Sequence, residues 1–311
     1  MSDITPYANS VFEQPWWLNI VAPGKWGETF VNDGKEVIGR FVYVLERDKI
    51  RMPPLTQTLG PWIKREYRDF SRGNSQFSKQ KEIITELLTQ LPKHRSFNMV
   101  FDSSNSYILP YRWLGYRFQP TFSYRISNLT NLEILRQGFS KSKQRDIELA
   151  ARRVHLKDKP TSSDLAKLIE ETYKVQRRKS PQSASMLCNI LESVIQHGNG
   201  VILIASDEHN DHAGAFLLYD ENTCYYLLSG HNPEYNSSCA QALIVWEAIS
   251  YASTVSKNFD FEGSMIQGIE SFFREFGGSQ IINYSVTKQS FLEDCWEMAK
   301  PRIKKLIGYK I

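Results

Sequence analysis

Two carboxylates, Asp260 and Glu262, stand at the end of a short aromatic stretch that runs into Gly263. Phe259 and Phe261 alternate with them, which is the period of a half-buried strand and would put both carboxylates on one face. Open α/β sheets bind ligands at the carboxyl ends of their strands, where a carboxylate can take a proton from an attacking amine or hydroxyl. The segment predicts a general base for group transfer, with an ion pair or turn contact as the alternative.

A polar loop before a strongly apolar predicted helix supplies the next candidates. It runs from Ser229 to Ser238 and contains His231, Asn232, Tyr235, Ser237 and Ser238. Backbone N–H groups at a helix N-terminus favour an anion, so the loop is predicted to hold a phosphate-bearing donor, or to be a serine cap alone. His231 is a second candidate base because its pKa range lies near neutrality; the alternative is a structural histidine.

Two side chains are candidates for binding the acceptor. Tyr226 follows Tyr225 in a predicted strand, so one of the two should be in the core and the other could line a cleft. Arg274 stands in a short predicted helix between Phe272 and Phe276. It could hold a phosphate or carboxylate by paired hydrogen bonds, or be a solvated helix residue.

The elements that must position these residues follow an α+β order. After about residue 160 the pattern reads α-α-β-β-β-loop-α-β-α-β, with an antiparallel meander in the middle and a last helix from about Gln289 to Ile307. The predicted strands of the meander are 201–205, 213–219 and 224–228, and the apolar helix covers about 239–253. The earlier part predicts strands near 37–44, 97–101 and 118–126 and a basic helix over 141–153.

Length and composition narrow the class of protein. A chain of 311 residues suits two domains, and 41% hydrophobic residues can bury ordinary cores. The net charge of +4 does not demand a nucleic-acid partner. The four cysteines form no CxxC pair and stand near no histidine cluster, so neither a disulfide framework nor a metal site is predicted. With no signal-peptide pattern and no spanning apolar run, we expect a soluble cytoplasmic protein without a transmembrane segment.

Three segments, in this order, resemble the Fem-type family, the peptidoglycan-bridge aminoacyltransferases and their GNAT relatives in cell-envelope and polysaccharide gene sets. They are Phe12–Trp17, the Asn-Pro-Glu-Tyr loop at 232–235, and Phe259–Gly263 running into the Phe-Gly-Gly element at 272–278. The basic stretch 141–153 is similar to the family's linker helix.

The resemblance implies two tandem GNAT-like domains, each a mixed, mostly antiparallel sheet flanked by helices. The first, degenerate domain would cover 1–155 and the second 156–311, with a tail from about 289 packing on the first. It implies an N- or O-acyltransferase that moves an acyl group, from acyl-CoA as co-substrate, to an amine or hydroxyl of a sugar or cell-envelope precursor. A small-molecule or lipid-linked sugar and peripheral membrane contact are the implied partners.

Two alternatives remain: a tRNA-dependent aminoacyltransferase that forms a peptide branch, and a non-catalytic binding protein on a GNAT frame. Nucleic acid enters only as tRNA in the first of these. The chain departs from the family at two places. Phe273 occupies the position where bridge-forming members have lysine, with the cation one residue later at Arg274. The stretch 235–240 lacks the glycines of the GNAT phosphate loop.

Overall fold

The computed structural model describes residues 3–69, 71, 73–263 and 265–289. Its architecture is α+β, as predicted, and contacts divide the chain into two units: residues 1–120 with the segment from 283 (unit 1), and 121–282 (unit 2). The sequence analysis puts the division near 155. The helix Lys141–Ala150 accounts for the difference, because it packs on a unit 2 helix, Ala240–Val255. The predicted last helix and its packing on the first domain lie, beyond Gln289, outside the described residues.

Unit 1 is built on an antiparallel hairpin, β1 with β2, extended by β3 and β5. The parallel pair β3–β5 makes this sheet mixed, and the end of β12 pairs antiparallel with β5. Aromatic side chains fill its core, among them Trp17, Phe41 and Phe101. The elements are a 3-10 helix Val11–Glu13, α1 Pro15–Val21, β1 Trp26–Asp33, β2 Glu36–Glu46, β3 Lys49–Arg51, β4 Pro61–Ile63, α2 Arg65–Arg68, α3 Asn74–Thr89, β5 Ser96–Phe101, α4 Leu109–Trp113 and the start of β6 Arg117–Ile126.

Unit 2 contains the predicted antiparallel meander, β8 with β9 and β9 with β10. β11 then lies between β10, to which it is parallel, and β6, to which it is antiparallel. The elements are α5 Leu132–Gln137, α6 Lys141–Ala150, β7 His155–Leu156, α7 Ser162–Val175, α8 Ala184–His197, β8 Gly200–Ser206, β9 Asp211–Tyr219, β10 Thr223–His231, a 3-10 helix Pro233–Ser238, α9 Ala240–Val255, β11 Asn258–Asp260, α10 Gln267–Arg274 and β12 Ser279–Lys288.

Capping residues mark where the helices of unit 2 begin and end. At the start of α7 the Thr161 hydroxyl accepts from the Asp164 N–H, and the Asp164 carboxylate accepts from the Thr161 N–H, which satisfies two free backbone donors at once. Gly198 ends α8 in the left-handed conformation that glycine adopts most easily. α9 is apolar around its circumference because it contacts β8, β9, β10 and β11 as well as α6. Among the described residues, no helix is both long and apolar enough to cross a membrane.

Candidate active site

The site is formed where β10 and β11 part. The two parallel strands are paired only from Thr223 to Tyr225, because β11 ends at Asp260 while β10 continues to His231. β10 also carries a register shift between Tyr226 and Leu228 against β9, a bulge that re-aims backbone groups. Beyond Tyr225, the β11 side of β10 has no strand partner among the described residues, so this side forms an open edge up to His231. At His231 the edge is closed by α7, because the His231 N–H donates to the Thr172 hydroxyl at 2.8 Å and the His231 carbonyl accepts from it at 3.1 Å.

Asp260 is held by an ion pair at the end of β11. It is 4% exposed, and its Oδ2 accepts hydrogen bonds from the Nε and Nη2 atoms of Arg125, each at 2.9 Å. Ser123, two residues earlier on β6, donates its hydroxyl to Oδ1. Asp260 therefore forms the ion pair that the sequence analysis gives as the alternative to a general base. Both of its carboxylate oxygens accept hydrogen bonds.

Glu262 does not share a strand face with Asp260, and the expectation that it does is wrong. β11 stops at Asp260, and Glu262 adopts a φ of 65°, in the left-handed region that side chains rarely occupy. Its backbone N–H donates to Asp260 Oδ1 at 2.9 Å, which fixes the turn. Phe259 and Asp260 have side chains on opposite faces of β11 and are both buried, so the half-buried alternation is wrong as well.

The Glu262 carboxyl is buried without a partner. Neither Oε1 nor Oε2 has a hydrogen bond to any residue that the structure describes. Burial raises the pKa of this carboxyl well above its usual value, and the charge of Asp260 raises it further while Arg125 lowers it. A raised pKa is typical of a carboxyl that exchanges protons with a substrate.

Gly263 explains why the chain can turn at this point. Its φ is 61°, and a Cβ atom there would lie 2.0 Å from the Phe122 carbonyl oxygen. Only glycine fits so close an approach, so the turn after Glu262 is fixed by packing against β6. Strain at Glu262 and the absence of a side chain at Gly263 together set the direction of the buried carboxyl.

The predicted donor loop is a 3-10 helix before α9, and its side chains are mostly engaged within it. Asn232 accepts from the Glu234 N–H at 3.1 Å, and Ser238, which is buried, accepts from the Ala240 N–H at 3.3 Å. Ser237 is exposed, and its carbonyl accepts from Arg153. The loop ends at Cys239, with a φ of 58°, a conformation in which glycine is the ordinary residue.

A pocket of about 200 Å³ lies at the N-terminus of α9. Asn232, Tyr235, Ser238 and His231 are among its lining residues, whereas Ser237 is not. Lys143 of α6 also lines it, and its ammonium group lies 2.8 Å from Asp146. Asp146 lines the pocket as well, so the pocket holds the Lys143–Asp146 ion pair at the N-terminus of α9, where the Ala240 N–H already donates to Ser238.

His231 and His212 both line this pocket, and only the first is predicted from the sequence. Burial lowers the pKa of His231, and its Nδ1 lies 2.9 Å from Gln241 Nε2, so the neutral ring accepts there. His212 is 6% exposed, stacks on Tyr235 with ring centroids 4.2 Å apart, and has Nε2 2.9 Å from Asp207. Asp207 and His212 stand at the two ends of the tight turn between β8 and β9, and this spacing could have predicted their contact from the sequence.

The two predicted acceptor residues have different environments. Tyr226 is 5% exposed and packs against Phe259 and Phe273, so it is the core member of the tyrosine pair, and burial raises its pKa. Tyr225 is also buried, at 6% exposure. Arg274 is largely exposed, and its Nε lies 3.3 Å from Glu270 within α10. Among the described residues, neither Tyr226 nor Arg274 forms a hydrogen bond with the Glu262 carboxyl.

Sequence and fold comparisons agree on the kind of domain that carries this site. Residues 135–262 match the family model described as an acetyltransferase (GNAT) domain, a range that includes Glu262 and the loop before α9. A comparison with curated proteins finds no significant sequence match.

Solved structures share the fold over nearly the whole chain. A crystal structure of FemX has a TM-score of 0.63 and 13% identity, covering 89% of this chain and 92% of that one. The C-terminal domain of a putative lysylphosphatidylglycerol synthetase from Agrobacterium fabrum has a TM-score of 0.56 and 10% identity, with coverages of 93% and 92%. A tandem GNAT protein from the clavulanic acid pathway has a TM-score of 0.53 and 9% identity, with coverages of 88% and 86%. Residues 135–262 therefore match a GNAT domain model, and the chain shares the fold of the FemX crystal structure.

Proposed function

We propose that this Fem-like GNAT protein is an acyltransferase that uses acyl-CoA and acylates an amine or hydroxyl of a sugar or cell-envelope precursor. The observation that carries the proposal is the Glu262 carboxyl, buried and unpartnered at the strand end where β10 and β11 part. Its raised pKa matches the task of removing a proton from an incoming nucleophile.

The open edge of β10 supports coenzyme A as the donor. A strand edge with free N–H and C=O groups binds extended, amide-bearing chains by main-chain hydrogen bonds. The arm of coenzyme A is such a chain, and its phosphates would suit the pocket at the α9 N-terminus, near Lys143. Asn232, Tyr235 and Ser238 line that pocket and are the proposed donor contacts, while Ser237 would contribute through its exposed position.

The proposed reaction is direct attack on the thioester. The amine or hydroxyl forms a bond to the acyl carbonyl carbon and loses its proton to ionised Glu262. The carbon–sulfur bond breaks, and the thiolate of coenzyme A leaves and takes up a proton. Asp260 would keep Arg125 and the turn in place rather than react, because its oxygens are bonded. Arg274 is a proposed acceptor contact because it is exposed, and Tyr226 would support the site from the core, through its packing on Phe259 and Phe273.

A second candidate is aminoacyl transfer from charged tRNA. The fold similarity to a domain named for lysylphosphatidylglycerol synthesis favours it, and would make a lipid the acceptor. Phe273 in the position of the family's lysine weighs against it.

The test compares donors on the purified chain. Acetyl-CoA should raise the melting temperature more than ADP does, because ADP lacks the amide arm that would lie along β10. Free thiol should then appear when amino sugars or nucleotide sugars are added with acyl-CoA. If none of these acceptors causes thiol release and labelled amino acid is transferred from charged tRNA, the second candidate would replace the first. Failure of both would favour a binding protein.

A further inference from the structure

One end of the unit 1 sheet gathers charged side chains around a single cleft. The start of β1, the turn between β2 and β3 and the start of β5 meet there, because β2 pairs with β1 and β3, and β3 pairs with β5. On β3, Ile50 is buried in the core, so Lys49 and Arg51 on either side of it lie on the opposite face and line the cleft. The cleft has a volume of about 660 Å³, within the size range of ligand-binding clefts.

Of the described side chains that line the cleft, five are basic and two are acidic. The basic residues are Lys25, Arg47, Lys49, Arg51 and Arg95, and the acidic residues are Glu46 and Asp48. The cleft thus has an excess of three positive charges, whereas the whole chain of 311 residues has a formal excess of only four. Cations that line one cleft raise the local concentration of anions there.

Both carboxylates already contact cations of the cleft. Glu46 Oε1 lies 2.9 Å from Lys25 Nζ, and Glu46 Oε2 lies 3.5 Å from Arg51 Nη1. Asp48 Oδ2 lies 3.3 Å from Arg95 Nε. The side chains of Lys25 and Arg51 are 55% and 46% exposed, and each has more N–H donors than its contact with Glu46 uses. The ion pairs therefore hold these two cations at the cleft and leave donors that can reach a ligand.

Arg47 stands in the turn between β2 and β3 in an unfavourable backbone conformation. Its φ is 58°, in the left-handed region that glycine adopts most easily. The residue is exposed, and its charge reaches Glu46: the hydrogen bond from Lys25 lowers the pKa of Glu46, and the charges of Lys25, Arg51 and Arg47 lower it further. An arginine in a conformation that favours glycine costs stability, and such strain is typical of binding sites.

The lining favours a phosphate-bearing group over an apolar or aromatic ligand. Leu45 is the one apolar residue among the described residues of the lining, and these include no aromatic ring on which a base could stack. Guanidinium groups bind phosphate oxygens through paired, charge-assisted hydrogen bonds. A diphosphate ester carries roughly two to three negative charges near pH 7, which matches the excess positive charge of the cleft.

We propose that this cleft binds a diphosphate group, carried by a soluble compound or by the headgroup of a lipid. Lys25, Arg47 and Arg51 would bind the phosphate oxygens, with Lys49 and Arg95 adding positive charge beside them. Every described residue of the lining belongs to unit 1, and the site does not depend on the proposed acyl transfer, so either can fail without the other.

Nuclear magnetic resonance locates the binding on the intact chain. The protein, labelled with ¹⁵N, is titrated at constant ionic strength with sodium diphosphate, sodium phosphate and sodium chloride. We expect the backbone amide resonances of residues 46–49 to shift and saturate with diphosphate, to need about tenfold more single phosphate, and not to respond to chloride. The amides of residues 232–240 report separately on the pocket at α9, so binding there is not mistaken for binding in the cleft.

Vesicles distinguish the two sources of the diphosphate. The chain is sedimented with phosphatidylcholine vesicles that contain a prenyl diphosphate lipid, and with phosphatidylcholine vesicles alone. Co-sedimentation with the first vesicles alone supports a lipid headgroup, and saturation by sodium diphosphate without co-sedimentation supports a soluble ligand. If sodium diphosphate leaves the resonances of residues 46–49 unmoved and neither kind of vesicle binds the chain, the proposal is overturned.

A matched pair of double variants gives an independent test. Arg47→Gln with Arg51→Gln removes two of the three excess charges of the cleft, whereas Arg112→Gln with Arg152→Gln removes two exposed charges elsewhere. The first should weaken binding of diphosphate, or of the diphosphate vesicles, about tenfold or more, and the second should leave it unchanged. Equal affinity in the two double variants would contradict the assigned site. If the first does not fold, the titration of the unaltered chain decides alone.

Discussion

The ends of β5 in unit 1 and β11 in unit 2 share one local structure and differ in chemistry. A phenylalanine is followed by an aspartate at each strand end: Phe101 is the last residue of β5 and Asp102 comes next, and Phe259-Asp260 ends β11. In each, the aspartate Oδ1 accepts the backbone N–H two residues later, at 2.8 Å from Ser104 and 2.9 Å from Glu262. In such a turn the aspartate side chain takes up a backbone N–H just after the strand, which ends the strand.

The difference lies in what remains unsatisfied beside each turn. In unit 2 it is the pair of carboxyl oxygens of Glu262, which can exchange a proton. In unit 1 it is a set of N–H donors on Arg40, Arg68 and Asn105, which can only donate. A similar turn therefore stands beside an unpaired carboxyl in one unit and unpaired N–H donors in the other, and the neighbouring residue types decide which.

The largest expected effect is on catalysis by unit 2. Glu262→Gln keeps the shape of the side chain but cannot accept a proton, so acyl transfer should fall about 10²–10⁴-fold. The rate of the unaltered enzyme should rise with pH through the raised pKa of Glu262, and the variant should lose that limb. Glu247→Gln is the matched control, since burial also raises the pKa of this α9 carboxyl. Equal losses in both variants would remove Glu262 from the reaction.

The glycine after Glu262 should be the most sensitive backbone position of the turn. Gly263→Ala puts a Cβ atom against the Phe122 carbonyl and should destabilise the protein by about 3 kcal/mol or more. Gly277→Ala shares the left-handed φ, 80°, but has nothing within 4 Å, so about 1 kcal/mol is expected. Denaturant unfolding measures both, and similar losses would mean that the close approach to β6 is not what fixes the turn.

The buried carboxyl of Glu262 should also make stability depend on pH. Because its pKa is higher in the folded than in the unfolded state, its favourable effect is complete below the unfolded pKa and is lost as pH rises through the folded one. Glu262→Gln should therefore gain about 1–3 kcal/mol over the unaltered chain at pH 8 and little at pH 4. Glu133 is exposed, so Glu133→Gln should leave the dependence of stability on pH unchanged. A gain that is independent of pH would argue against a buried titrating carboxyl.

Glu13 should give a smaller effect of the same sign in unit 1. Its pKa is raised to about 7 by burial, so stability should fall by about 1 kcal/mol for each pH unit between the unfolded value and 7, and level off above 7. Hydrogen bonds from Asn9 to both oxygens moderate this loss. Glu13→Gln should flatten the curve, and Glu82→Gln, exposed on α3, should not. Equal slopes in Glu13→Gln and the unaltered chain would assign the pH dependence to other groups.

The sequence predicted the meander of unit 2 and the helices beside it well, because these elements have strong periodicity and clear turn and cap residues. It was wrong about the strand around Glu262. Asp260 and Glu262 appeared to alternate with phenylalanines, but the period of two stops at Asp260. That end depends on the pairing of Asp260 with Arg125 on β6, more than a hundred residues earlier, which no local pattern contains. His212, Ser123 and the hydrogen bonds of Asn9 with Glu13, Arg68 and Ser104 were missed for the same reason.

What the sequence by itself determined is the α+β order, the GNAT-like arrangement of loop, apolar helix and acidic strand end, and the presence of two carboxylates before Gly263. These follow from side-chain type and spacing along the chain. Only the tertiary structure decided that Asp260 is an ion-paired support while Glu262 is the free carboxyl, since ionic partners, burial and left-handed backbone are set by distant strands. The same physical reason separates unpaired N–H donors in unit 1 from an unpaired carboxyl in unit 2, although both follow one phenylalanine and one aspartate.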